Sequence, residues 1–90
     1  MGTIDTRMLE RLPLEAIDKV TFYKRDEAAT DLICCNVEVG GEIWIFNEEL
    51  VGWDLLLGHL GKLPGFRQDW FAAVSDPPGA PCETVAYRKQ

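Results

Sequence analysis

The feature that most constrains this chain is Gly40-Gly41, set between two apolar runs in "DLICCNVEVGGEIWIF", residues 31–46. A Gly-Gly pair between strand-forming residues marks a two-residue hairpin turn, because that turn needs backbone dihedrals that glycine reaches without a steric cost. The reading is one strand over residues 31–39 and another over 42–47. Counting outward from the turn sets the partners. Val39 faces Glu42, Val37 faces Trp44 and Cys35 faces Phe46, while Glu38 faces Ile43, Asn36 faces Ile45 and Cys34 faces Asn47.

Side chains alternate across a strand, so this register sorts the hairpin into two faces. One carries Ile33, Cys35, Val37, Trp44 and Phe46 and is strongly apolar. The other mixes Leu32, Ile43 and Ile45 with Asn36, Glu38 and Asn47, which is more apolar than full solvation requires. The same alternation sends Cys34 and Cys35 to opposite faces, so they cannot ligate one metal or act as a pair while the strand is regular. Cys35 reads as a small buried hydrophobe and Cys34 belongs to the mixed face.

Upstream, Ile4, Met8, Leu9 and Leu12 recur at helical spacing until Pro13, which predicts a short helix over residues 4–12. Residues 17–25, "IDKVTFYKR", are rich in β-branched and aromatic types and predict a strand. Downstream, Asn47 with Glu48 and Glu49 offers a cap and a first turn for a helix carrying Leu50, Trp53, Leu57 and Leu60 as a stripe, with Leu56 at its edge. Gly52 and Gly58 weaken that helix by about 1 kcal/mol each relative to Ala, and Gly61 ends it. Pro64 opens another helix with Phe66, Trp70, Ala73 and Val74 on one side. Residues 75–81, "SDPPGAP", form a loop, and a last strand follows over 82–88, paired with either the first or the third strand.

The resulting order, α-β-β-β-α-α-β, predicts an α+β fold: one domain over residues 1–90, with a small mainly antiparallel sheet of about four strands. Two C-terminal helices cover one sheet face, and the short N-terminal helix completes the chain. The other face is wholly or partly free.

Charge and composition narrow the function. Nine Lys and Arg against 15 Asp and Glu give a formal net charge of -6, which argues against nucleic acid as a partner. No apolar run reaches the roughly 18 residues of a membrane span. Three cysteines, an odd number without an export signal, fit the reducing cytoplasm better than a disulfide framework.

Chemistry finds little support. His59 is the one histidine, and neither Cys34, Cys35 nor Cys82 stands at a spacing that would pair with it as an activated thiol. Zinc-ligand spacing is missing, the carboxylates Asp26, Glu27 and Asp31 lack the pattern of a calcium loop, and the glycines match no phosphate-binding motif. No catalytic, cofactor or metal residue is predicted.

The expectation is a small interaction or accessory module, one that self-associates through a sheet face or edge or docks a different chain, with Leu32, Cys34, Ile43 and Ile45 as the candidate face. The rival cover for that face is the N-terminal helix, folded over it through Ile4, Met8, Leu9 and Leu12. Trp44, Trp53, Phe66, Trp70 and Phe71 are spaced for burial, most of them as core. The alternative functions are a site for a small apolar ligand between sheet and helices, walled by Trp44, Trp53 or Trp70, and a cysteine-thiolate enzyme.

Overall fold

The computed structural model describes residues 3–26, 31–75 and 83–89. Its sheet is β1 (Ile17–Asp26), β2 (Asp31–Val39), β3 (Glu42–Asn47) and β4 (Glu83–Arg88), all pairs antiparallel in the order β3-β2-β1-β4. The last strand therefore pairs with the first, which leaves β3 and β4 as the two edges. The helices are α1 (Thr6–Glu10), α2 (Trp53–Leu60) and α3 (Trp70–Ser75), with a 3₁₀ turn at Leu14–Ala16.

The hairpin stands as its turn dictates. Gly40 and Gly41 both take positive φ, 56° and 88°, and all six β2–β3 pairs follow by counting from them. Asp18, the extra residue where the β1–β2 register shifts, has a carboxylate that accepts from the Gly40 N–H at 3.2 Å.

One hydrophobic cluster lies on the Cys35 face of the sheet. Val20, Phe22, Cys35, Val37, Phe46 and Ala86 from the strands meet Leu56 and Leu60 of α2, Val74 of α3, and Ile4, Leu12 and Leu63 from the connections. Ile4 and Leu12 flank α1, so the N-terminal helix packs on the same side as α2 and α3 and does not cover the mixed face.

The helices are shorter than their apolar spacing predicts, for local reasons. Asp5 caps α1 by accepting from the Met8 N–H at 2.8 Å, which leaves Ile4 extended and donating its N–H to the Val51 carbonyl at 2.7 Å. That bridge holds Val51 out of α2. Residues 47–50 form a turn instead, in which the Asn47 side chain accepts from the Glu49 N–H and its carbonyl from the Leu50 N–H. The buried side of α2 is accordingly Leu56 and Leu60, with Trp53 and Leu57 half-buried. Between α2 and α3 the chain turns through Gly65, with Leu63 and Phe66 as its buried anchors, so Pro64 starts no helix. Phe71 is exposed. The loop expected at 75–81 and the start of the last strand at Cys82 lie almost wholly outside the described residues.

Gly52 precedes α2 with φ 92°, and a Cβ there would run into the Ile4 carbonyl oxygen. It is required at that crossing and does not weaken the helix interior as its position in the sequence suggests. Gly58, in contrast, sits in mid-helix with open space around it. Gly52→Ala is expected to cost about 2 kcal/mol or more through clash and strained φ, whereas Gly58→Ala should stabilise by about 0.5–1 kcal/mol. Urea midpoints of the two variants, at unchanged slope, check both.

Candidate interaction surface

The residues expected to share an interaction face do share a side of the sheet, but only half of them reach solvent. Ile43 and Ile45 are 58% and 65% exposed, while Leu32 and Cys34 are 6% and 1% exposed. Their difference follows strand position: Leu32 and Cys34 lie on β2, flanked by β1 and β3, whereas Ile43 and Ile45 lie on an edge strand.

Cys34 faces Tyr23 on β1 and Asn47 on β3, and its thiol points toward the Leu32 carbonyl at 3.8 Å. Partial burial, then the adjoining Cys34 sulfur, which also hydrogen-bonds it, raises the Tyr23 hydroxyl above its usual pKa. One pair further along, Asn36 lies between Thr21 and Ile45, and its Oδ1 is buried without a hydrogen-bond partner. The surface offered to solvent is therefore a narrow apolar strip on β3, bordered by Asn36.

Ile43 and Ile45 differ from the other exposed apolar side chains, Val51, Leu55 and Phe71, in being neighbours on one strand face. Scattered exposed hydrophobes are ordinary, whereas adjoining ones form a patch.

Residues weighed for catalysis take structural roles. His59 donates its Nε2–H to the Leu12 carbonyl at 2.6 Å, tying α2 to the chain leaving α1. Cys35 is buried in the core, and loss of solvation pushes its thiol far above the usual range, with Cys34 adding to the effect, so it carries no thiolate near neutral pH. Cys82 lies outside the described residues. Asp26 and Asp31 pair across the β1–β2 ladder, and Glu27 is outside the described residues. Among the described residues no three His, Cys, Asp or Glu side chains gather where they would hold a metal ion. No described helix is long and apolar enough to cross a membrane.

The space between sheet and helices is filled by rings. Phe22 stacks on Trp70 at 3.8 Å between centroids and meets Trp53 and Phe66 edge-on at 6.4 and 6.2 Å. Trp44 stands apart from that group, beside a surface cleft lined by Asp5, Arg7, Met8 and Arg11. No protein-family model, curated protein or solved structure matches the chain.

The buried Cys35 thiol and the half-buried Tyr23 phenol both bear on stability at alkaline pH. Both groups are neutral when protonated and both have raised pKa values in the fold, so the unfolded chain releases these protons first as pH rises. The contribution of these two groups to stability is fully present below about pH 8.5 and declines above it, with Cys35 contributing up to about 1.4 kcal/mol per pH unit. Denaturant midpoints across roughly pH 8 to 11 should fall, less steeply in Cys35→Ala. An equal slope in that variant would show that the buried thiol does not set it. Alkylation of Cys34 and Cys35 at neutral pH should likewise proceed only on unfolding.

Proposed function

We propose that the protein is an interaction module that docks a partner chain against the β3 side of its sheet, with Ile43 and Ile45 at the contact. The observation that carries this reading is the pair of exposed isoleucines on the outer face of an edge strand. Burying an isoleucine side chain is worth roughly 1.5–3 kcal/mol, so a partner that covers both gains a substantial share of the free energy of a specific complex. The helices are largely committed elsewhere: Met8 and Leu9 of α1, Leu56 and Leu60 of α2 and Val74 of α3 pack into the Cys35-side cluster, and exposed Leu55 and Phe71 stand singly on different helices.

In this reading the protein is an accessory rather than an enzyme, and no cofactor enters its function. Its free, buried thiols Cys34 and Cys35 support a reducing setting, the cytoplasm. An acidic surface with net charge -6 supports a protein partner over nucleic acid.

A photo-crosslinking side chain placed at position 45 should give a discrete adduct in the native cell, whereas the same group at exposed Asp54 on α2 should not. Equal labelling from the two positions, or none from position 45, would overturn the proposal.

A further inference from the structure

The partner in that reading can be identified from the backbone of β3. In an antiparallel ladder, residues alternate between those bonded to the neighbouring strand and those whose N–H and C=O point away from it. The Glu48 N–H donates to the Ile33 carbonyl at 3.0 Å, immediately beyond the Cys34–Asn47 pair. Counting back in steps of two, Phe46, Trp44 and Glu42 are the residues that bond to β2. Ile43, Ile45 and Asn47 therefore turn their backbone groups to the open edge. The Asn47 carbonyl already accepts from the Leu50 N–H, so the edge's free pairs of donor and acceptor are those of Ile43 and Ile45.

Edge strands are normally blunted by Lys, Pro or a bulge. The other edge, β4, follows that rule: its register shifts near Ala86, its end carries Arg88 and Lys89, and the Ala86 carbonyl accepts from the Arg67 N–H at 2.8 Å. β3, "EIWIFN", has no Lys, no Pro and no register shift.

We propose, building on the reading above, that β3 is the docking edge for a second copy of this chain. Two β3 strands pair antiparallel about a two-fold axis at Trp44, joining two sheets into one. Ile43 of one copy then faces Ile45 of the other, and the reverse. This register uses the N–H and C=O of both residues in both copies and leaves none of them unpaired. An axis at Ile45 would instead set Ile43 against Asn47, whose carbonyl is taken.

Charge agrees with this register. Glu42, the one charged residue of β3, faces Phe46 of the second copy rather than another carboxylate. It lies on the Trp44 side of the joint sheet, where the cleft beside Trp44 presents Arg7 and Arg11, neither ion-paired among the described residues, against the single acid Asp5, whose carboxylate caps α1 through the Met8 N–H. Each copy thus offers cations on the side where the other brings its acid. The isoleucines of both copies meet on the opposite face as one apolar strip. Such an edge-to-edge contact lies at the small end of specific interfaces, so the dimer is one whose population depends on concentration.

The test uses the full chain in solution. Across a roughly hundredfold concentration range, light-scattering mass should rise from 10.1 kDa to twice that value. Over the same range, amide exchange at Ile43 and Ile45 should slow by about tenfold or more, while Trp44 and Phe46 remain protected throughout. Ile45→Lys and, independently, Ile43→Pro should abolish the mass increase with the circular dichroism unchanged. A doubled mass without protection at Ile43 and Ile45 would mean pairing through the sheet face and would overturn the edge assignment. A mass of 10.1 kDa at every concentration would overturn the second copy as partner. The interaction reading itself would still stand if position 45, and not position 54, forms a cellular adduct of some other mass, and would fall if position 45 forms none or both label equally.

Discussion

The Phe22 ring is the joint on which the rest of the structure turns. It rises from the central pair of strands, stacks on Trp70 of α3 and presents its face and edge to Trp53 of α2 and Phe66 of the connection between them. Offset and edge-on aromatic pairs each add about 0.5–1.5 kcal/mol beyond the area they bury. Helices of 8 and 6 residues are too short to be stable alone, so their formation depends on this packing. Because one side chain serves α2, α3 and the turn at once, it couples the packing of the three.

Every described helix packs on one face of the four-stranded sheet. The outer face is left to the side chains of the strands. Near its middle the strands manage this themselves: Thr21 and Cys34 are buried and Tyr23 is half-buried there. At β3 there is no further strand to contribute, and the isoleucines remain in water. The open strip follows from strand order, which puts Ile43 and Ile45 on an edge.

Much of this was legible in the sequence, and unevenly. The hairpin was readable to the residue, because a two-residue glycine turn and a strict two-residue alternation leave one register. Strand identity and the α+β order followed from β-branched and aromatic content. Helix starts were not readable at Asn47 and Pro64, where local capping signals lost to tertiary contacts: Val51 is held by Ile4, and Leu63 and Phe66 anchor a turn. Side and burial also diverged for the candidate face. Alternation placed Leu32, Cys34, Ile43 and Ile45 on one side correctly, but exposure depends on which strand is an edge, and strand order is a long-range property that no local pattern encodes. Gly52 shows the same limit, since the Ile4 carbonyl that excludes a side chain there is 48 positions away in the chain.

The place of β4 bears on how the molecule comes together in time. The meander β1-β2-β3 joins neighbours in sequence and can close early, whereas Tyr23 must wait for Glu83 and Lys19 for Arg88. Until then the strand Ile17–Asp26 is itself an edge, and its Lys19, Lys24 and Arg25 are the kind of charged side chains that blunt pairing with another chain. Those charges guard the border that stands open until the distant strand arrives, a protection that matters on the pathway rather than in the product.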